Sequence, residues 1–561
     1  MSTSTTLYGH LHAWAAQSPD RRLIVEPVGD EHRTVTAAQL LDTATGFAAL
    51  LREQGVGEGD CVAVWLPSWS DSYAWQFAAS AVGAHVIGVN TRYNITEVGH
   101  VLHKARPKAL VMAHAFQRID FLTTLHGAIT EARSRAGDGF TPPFVIATAA
   151  PGAEQDYDAA DYDQGAGSCR STDVPAGASA VDFRLQGDPR TLSVAFTTSG
   201  STGLPKLAAH DEFAVVHHSE QVAARIGFGP ADLMVEPLPY SGVFGYVAGM
   251  AALFGGAAVL LQAVFNETRL LHAWHEFGGT HFVGADDMLS RLRAAWEAEQ
   301  LDLDSWRWTG IADFQGMSKE IAAWSAREFG TATGGVYGSS EIFALTSFWT
   351  QERPEELRWS GGGTLTSPEY TFRIVDPATE AEVPAGERGE IQFRGPNVVS
   401  AYLGDAGEGA KAFTADGWFR SGDLGEAIDD RSYLYVCRIG DVLRLKGFLV
   451  DPAEIEMHLA GHPDVEIAKV VGRTAGSGEP EAVAFVSLAD TGTATPDDLR
   501  EYCRASLARY KVPAEVRIIE DMPTVAGTNG AKIRAVTLRE WAARPAAEAP
   551  GTGTAGVSAP R

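Results

Sequence analysis

The sequence predicts an α/β protein: a large N-terminal domain of helix-covered sheets with a β-rich subdomain, and a small α+β C-terminal domain. Three observations predict it. In the first half, apolar strand-like runs alternate with amphipathic helical patterns, which implies parallel sheet covered on both faces. From about 365 to 436 the pattern changes to short strands and turns. From 441 to 545 helices mix with alternating strands. At 561 residues the chain has room for roughly three or four domain-sized units. The expected domains are 1–440 and 441–545, followed by a tail at 546–561.

Each element has a local reason. Thr36-Ala37-Ala38-Gln39 reads as a capping box opening an amphipathic helix that stops before Gly55. Cys61–Leu66 reads as a buried strand, and His85–Val89 as another after an intervening helix. Residues 150–180, rich in Ala, Gly and Asp, read as a surface excursion. Leu192–Phe196 is an apolar, strand-like run. The apolar stretch Gly245–Leu261 approaches the length of a membrane span, but Gly249 and Gly255-Gly256 interrupt it. A buried helix, a turn and a buried strand account for it better than a bilayer. Phe372–Val375, Glu390–Arg394 and Tyr433–Val436 are the strands of the β-rich subdomain, and Ala468–Val471 and Ala482–Val486 those of the last domain. The Ala/Gly/Pro/Thr-rich tail 546–561 is expected to be disordered. No internal repeat is visible.

The net charge of −26, from 71 acids against 45 bases, disfavours nucleic acid and anionic lipid as partners. An anionic substrate must then be met by local donors. Cys61, Cys169, Cys437 and Cys503 lie far apart without metal-ligand spacing, which suits a reducing cytoplasm. The start of the chain lacks the basic-then-apolar layout of a signal peptide, so a soluble cytoplasmic protein is expected.

The chemistry begins at Thr197-Thr198-Ser199-Gly200-Ser201-Thr202-Gly203-Leu204-Pro205-Lys206, directly after the strand-like run. Glycines let backbone N–H groups approach an anion, and hydroxyls and an ammonium add donors, so the run suits a polyphosphate. It is not the common P-loop, because Lys206 follows a proline rather than opening a helix. Tyr337-Gly338-Ser339-Ser340-Glu341 offers an aromatic face for a purine, a hydroxyl for a phosphate and a carboxylate for Mg²⁺. Asp423, on the turn Ser421-Gly422-Asp423, suits two ribose hydroxyls. Arg438-Ile439-Gly440-Asp441, Lys446-Gly447 and Asn529-Gly530-Ala531-Lys532 follow.

In this order and at these spacings the series resembles the adenylate-forming superfamily of AMP-dependent synthetases and ligases: acyl-CoA synthetases, peptide-synthetase adenylation domains and luciferases. The resemblance covers roughly residues 10–540. It implies that Thr197–Lys206 wraps the β- and γ-phosphates of ATP, and that Tyr337 and Gly338 flank adenine with Gly310-Ile311-Ala312. Ser340 stands where the family usually has threonine. Glu341 is implied to bind Mg²⁺, Asp423 and Arg438 the ribose, and Asp441 to be the hinge of a mobile small domain. Lys532 resembles the lysine that bridges the attacking carboxylate and the α-phosphate, with Arg534 as fallback, and Gly447 lies toward the thiol channel. Tyr240, Ser241, Gly242 and Phe244, with Ser339, match the acyl pocket.

Three departures stand out. Gly242 replaces an aromatic or histidine gate, so either the pocket is widened or Tyr240 or Phe244 fills the space. Asp313-Phe314 replaces proline-leucine, and Asp286-Asp287 adds two acids; these read a substrate amino group, or an Asp N-caps the helix from Met288. The lysine motif carries an extra residue, Ala531. His217 and His218 read as structural.

The implied function is ATP- and Mg²⁺-dependent activation of a fatty or aryl acid as acyl-AMP, then transfer to coenzyme A. The alternatives are a carrier-protein phosphopantetheine or an amine as acceptor, including the nitrite-activating chemistry of secondary metabolism, and a non-catalytic nucleotide-binding protein. The oligomeric state stays open, a homodimer included.

Overall fold

The computed structural model describes residues 4–136, 139–154, 156–175, 177–198, 205–314, 316–439, 443–445, 448–450, 452–475, 480–527 and 530–544. The chain divides into two compact units. One comprises Met1–Asp313, Ser318–Phe372 and Gln392–Arg420; the other comprises Phe314–Met317, Arg373–Ile391 and Ser421–Arg561. The fold is α/β, as the alternation of strands and helices requires.

The larger unit holds two sheets. The first places Leu192–Thr197, His85–Gly88, Cys61–Trp65, Ala109–Ala113 and Phe144–Thr148 side by side and parallel. Cys61–Trp65 is buried at every position because helices cover both faces. The predicted capping box is formed: the Gln39 backbone N–H donates to Thr36 Oγ1 at 3.3 Å, and the Thr36 N–H donates to Gln39 Oε1 at 2.9 Å. The helix Ala37–Glu53 that it opens buries Leu40, Ala44, Phe47, Ala48 and Leu51, a stripe at the helical period.

In the second sheet the order is Gly362–Leu365, Phe343–Phe348, Ala332–Ser339, Trp308–Ala312, His281–Ala285, Leu233–Glu236, Ala258–Leu261, Arg22–Val28, Glu31–Thr36. The run from Ala332–Ser339 to Arg22–Val28 is parallel throughout. Its carboxyl ends therefore bring Ser339, Ala312, Ala285 and Glu236 to one edge, where ligands of such sheets bind. The stretch that approaches a membrane span is a buried helix, Val243–Phe254, a Gly255-Gly256 turn and the buried strand Ala258–Leu261. Among the described residues no helix is long and apolar enough to cross a membrane.

The excursion expected at 150–180 is more than surface. Ser168–Arg170 pairs with Phe144–Thr148, and the Tyr157 ring stacks on His114 at 4.1 Å. The Tyr157 hydroxyl donates to the Ala147 carbonyl at 2.8 Å. Two tyrosines spaced five apart anchor a segment whose small residues carry no periodic signal.

In the smaller unit Val465–Thr474, Pro480–Leu488 and Glu515–Ile518 form one sheet. Alternation divides it between two cores. Val470, Ala484 and Val486 meet Ile455, Leu459 and Leu499 on one face, while Val471, Val483 and Phe485 meet Leu538 and Ala542 on the other. Period-2 strands between helices give this sorting directly. The hairpin Thr524–Gly527 with Gly530–Ile533 pairs Val525 with Lys532. The tail 546–561 lies outside the described residues.

Trp306 packs against Trp274 at 4.9 Å and Trp324 at 5.7 Å, and its indole N–H donates to Thr309 Oγ1 at 2.6 Å. It thereby fixes the start of Trp308–Ala312. Trp306→Ala is expected to destabilise the larger unit by about 3–5 kcal/mol, seen as a lower urea midpoint; an unchanged midpoint contradicts this packing role.

Candidate active site

The Ser/Thr/Gly run is the connection of a hairpin. Leu192–Thr197 pairs antiparallel with Leu207–Asp211, with Thr197 opposite Leu207. The neck is tied on both sides: the Thr198 N–H donates to the Lys206 carbonyl at 2.9 Å, and the Lys206 N–H to Thr198 Oγ1 at 3.2 Å. Two further side chains grip it, Tyr93 at Thr197 Oγ1 (2.6 Å) and His100 at the Pro205 carbonyl (2.8 Å). Ser199, Gly200, Ser201, Thr202 and Gly203 lie outside the described residues. The Lys206 ammonium sits 5.5 Å above the Tyr402 ring.

The Tyr337–Glu341 segment is pinned to this neck. The Ser340 hydroxyl donates to the Thr197 carbonyl at 3.1 Å, so the sequence neighbours of Ser340 are held beside Thr197. His210, wholly buried, lies with Nε2 2.8 Å from the Ser340 carbonyl. A carbonyl can only accept, so Nε2 carries the proton; burial lowers the His210 pKa to about 4, keeping the ring neutral. Its ring stacks on Phe343 at 3.9 Å, and His218 stacks on Phe343 at 4.8 Å. His218 donates through Nε2 to the Ala344 carbonyl and accepts from the Tyr370 hydroxyl, each at 2.8 Å.

These contacts hold a strained backbone. Phe343 and Leu345 have φ of 64° and 59°, a left-handed conformation that costs on the order of 1–3 kcal/mol per non-glycine residue. Asn397 Nδ2 donates to the Ile342 carbonyl at 3.1 Å, and Thr346 Oγ1 donates to it as well. The Glu341 carbonyl accepts from the Val399 N–H at 2.6 Å. Glu341 is half-buried, with its N–H on Ser339 Oγ at 3.2 Å.

Gly310-Ile311-Ala312 ends one strand and Tyr337 and Gly338 lie on the next strand, the two strands paired in parallel. Tyr337 is buried against Phe393, ring centroids 5.9 Å apart. Gly338 leaves no room for a Cβ, which would lie 2.2 Å from the Phe343 carbonyl oxygen. Glycine is thus what lets the strand cross the strained loop.

The acids behave differently from a helix cap. Ala285, not an aspartate, is the N-cap of Asp286–Glu299, without a side-chain cap. Asp286 is wholly buried and forms a hydrogen bond with Asp313. Asp313 keeps an exposed edge, but desolvation by the atoms around it, with the hydrogen bond to Asp286, pushes its carboxyl up to about 6. That hydrogen bond needs one proton, which Asp313 carries below about pH 6.

In the pocket motif, Tyr240 and Phe244 are both buried, and Gly242 N-caps the helix Val243–Phe254. The rings of Tyr73, Tyr240 and Tyr246 pack in series, tilted, with centroids 4.0 and 5.0 Å apart. Aromatic side chains occupy this neighbourhood, and the cavity touching Tyr240 and Ser241 holds only about 20 Å³.

In the smaller unit Asp423 and Arg438 face each other across paired strands, joined by a 3.1 Å ion pair. Arg438 Nη1 also donates to the Ser421 carbonyl at 2.7 Å, and the Asp423 N–H donates to Ser421 Oγ at 3.0 Å. The ribose residues proposed from separate motifs are therefore neighbours. Lys532 lies on the hairpin strand Gly530–Ile533; Asp441 and Gly447 lie outside the described residues. The grips of Tyr93 and His100 left no sequence signal, because each comes from a distant segment, whereas His218 was legible only as structural.

Comparison with known proteins bears on the chain as a whole. The family model described as AMP-binding enzyme matches residues 11–403, and the AMP-binding enzyme C-terminal domain matches 454–528. The chain is 29% identical over 514 residues to a methyl-dioxo-octahydroindenyl-propanoyl:CoA ligase of Rhodococcus jostii (strain RHA1), covering 88% of this chain and 92% of that protein. It is 27% identical to a mitochondrial medium-chain acyl-CoA ligase of Danio rerio, covering 96% and 88%. In fold it is similar to ATP-bound MatB of Rhodopseudomonas palustris (TM-score 0.81, 22% identity, covering 95% of this chain and 98% of that one). It is likewise similar to the amide bond synthetase McbA of Marinactinospora thermotolerans (TM-score 0.78, 24% identity, covering 96% and 100%).

The neutral His210 makes the site acid-sensitive. Its pKa falls from 6.5 when free to about 4 when folded, so its contribution is present above pH 6.5 and lost as pH falls toward 4. His210→Gln keeps a donor without titrating, and is expected to lose roughly 2–3 kcal/mol less stability than wild type between those pH values. Parallel urea-midpoint profiles for the two proteins contradict the neutral-ring assignment.

Proposed function

The chain belongs to the AMP-binding enzyme family, which makes it an AMP-forming ligase, and from that premise we propose that it activates an organic carboxylic acid with ATP and passes the acyl group to coenzyme A. The observation that carries this reading is the tied hairpin loop with the Ser340–Glu341 segment fastened to its neck. That arrangement gathers the Thr197, Thr198 and Ser340 hydroxyls at one neck, which supports reading it as a triphosphate site.

In the proposed reaction a carboxylate oxygen attacks the α-phosphorus, the bond to the bridging oxygen breaks, and pyrophosphate leaves. The thiol of coenzyme A then attacks the acyl carbon, the acyl–oxygen bond to phosphate breaks, AMP leaves and the thiol proton is released. Both anions meet on a protein of net charge −26, so repulsion must be offset locally. Donors fixed before the reaction do this without reorganisation. Thr197, Thr198 and Lys206 stand at the loop neck for the phosphates, and Lys532 is assigned to the α-phosphate and the attacking carboxylate. Gly310-Ile311-Ala312, Tyr337 and Gly338 are assigned to adenine, Asp423 and Arg438 to the ribose, Asp441 to the hinge and Gly447 to the thiol channel.

Glu341 supplies a hard oxygen ligand of the kind Mg²⁺ prefers, and one protein carboxylate suffices when phosphates complete the shell. Bound there, Mg²⁺ would neutralise phosphate charge. The CoA ligases among the relatives support the thiol acceptor. The four dispersed cysteines support the cytoplasmic site we assign.

Lys532→Ala is expected to lower ATP–pyrophosphate exchange by ~100- to 1000-fold, about 3 kcal/mol of transition-state stabilisation, while ATP binding persists in calorimetry. Exchange within about threefold of wild type rules Lys532 out. Asp423→Ala is expected to weaken ATP binding about tenfold, one lost hydrogen-bonded charge being worth roughly 1.5–3 kcal/mol. An unaltered dissociation constant removes Asp423 from the ribose site.

A further inference from the structure

A second feature lies beneath the pocket motif. Gly88 has no room for a Cβ, which would stand 2.7 Å from Ser241 Cα and 2.8 Å from its carbonyl oxygen. The pocket loop therefore descends onto the strand His85–Gly88, and a cavity closes between them. Its wall comprises Val64, Val86 and Phe196 on the strands, Gln76 on the helix Ser70–Val82, and Tyr240 and Tyr246.

Two polar groups on that wall have no hydrogen-bond partner among the described residues, Gln76 Oε1 and the Tyr246 hydroxyl. Both side chains are almost wholly buried. The Gln76 amide is oriented by its own contacts: Nε2 donates to the Ser193 carbonyl at 3.2 Å, and only an N–H can do so, which directs Oε1 away from Ser193. Tyr246 is wedged by Phe196 at 5.2 Å and Tyr240 at 5.0 Å. Leaving two such groups unpaired is unfavourable, and the aromatic wedge gives Tyr246 no alternative. The site is thus an acceptor and a hydroxyl around a space of about 20 Å³. That volume admits one oxygen-sized group and no ring. A hydroxyl is the smallest substituent that donates to the amide oxygen and accepts from the tyrosine at once.

Resting on the acid-activating reading above, we propose that this cavity is a subsite for a hydroxyl group of the substrate, so that the acid activated is a hydroxy acid rather than a plain alkyl or aryl one. Tyr240 and Ser241 belong both to the pocket motif and to the cavity wall, which joins the two spaces. Gln76 and Tyr246 are then specificity-determining residues: an acid lacking the hydroxyl leaves both unpaired, and sites built for a hydroxyl discriminate against the analogue without it.

The test measures kcat/KM for ATP–pyrophosphate exchange with paired acids: the isomers of hydroxybenzoate against benzoate, of hydroxyphenylacetate against phenylacetate, and of hydroxybutyrate against butyrate. Wild type is expected to favour the hydroxylated member of at least one pair by about 10- to 100-fold. In Gln76→Leu and in Tyr246→Phe that ratio is expected to fall toward about 1. The two substitutions preserve volume, and agreement between them guards against one variant failing to fold. Exchange in which no hydroxylated member is favoured overturns the subsite alone and makes the cavity's occupant a structural water. A preference that both variants retain overturns it too. Silence with every acid overturns the activating reading, and the subsite with it.

Discussion

The site depends on one piece of strand pairing. Leu192–Thr197 and Leu207–Asp211 run antiparallel, and the hydrogen bonds between Thr198 and Lys206 close the hairpin at the point where the glycine- and hydroxyl-rich run begins. Without that neck, a loop of small polar residues would pay its full conformational entropy to collect around an anion. With it, the loop's ends are fixed by the core of the sheet, whose parallel partner His85–Gly88 is itself buried between helices. Tyr93 and His100 add grips from outside the sheet. Strand pairing thus fixes where the two ends of that run stand.

The second constraint is the strained turn behind Ser340 and Glu341. Left-handed Phe343 and Leu345 persist because Asn397, Thr346 and His218 hold the carbonyls of this turn, and because Phe343 is clamped between two neutral imidazoles. Burial keeps those imidazoles neutral, so each presents an N–H to a carbonyl and no charge to the core. The strain is concentrated in the turn that follows Glu341, and such backbone commonly clusters at functional sites. Asp313 follows another logic: desolvation and the neighbouring acid Asp286 raise its carboxyl, because the charged form is costly there.

Much of the fold was legible because the signals were local. The capping box at Thr36, the all-apolar Cys61–Trp65 and the glycine break at Gly255-Gly256 each state their structure within a few residues. The aspartate before Met288 misled, since Asp286 begins the helix and turns inward to another acid instead of capping it. Residues 150–180 misled in the opposite direction, because two buried tyrosines outweigh many small residues. Of the site, the motif residues were visible and their supports were not. His210, Gln76 and Tyr246 act through partners that lie from 117 to 130 positions away, such as Ser193 and Ser340, or through a cavity wall. No periodicity or propensity in the chain encodes such a meeting.

The central claim is that a carboxylate oxygen becomes bonded to the α-phosphorus of ATP. The most direct measurement follows that oxygen: the chain is given ATP, Mg²⁺, coenzyme A and an acid labelled with ¹⁸O in its carboxylate, and the products are weighed by mass spectrometry. AMP and unlabelled pyrophosphate are expected, with one ¹⁸O on the AMP phosphate for each thioester formed. ADP with labelled inorganic phosphate, or AMP free of label, would contradict it.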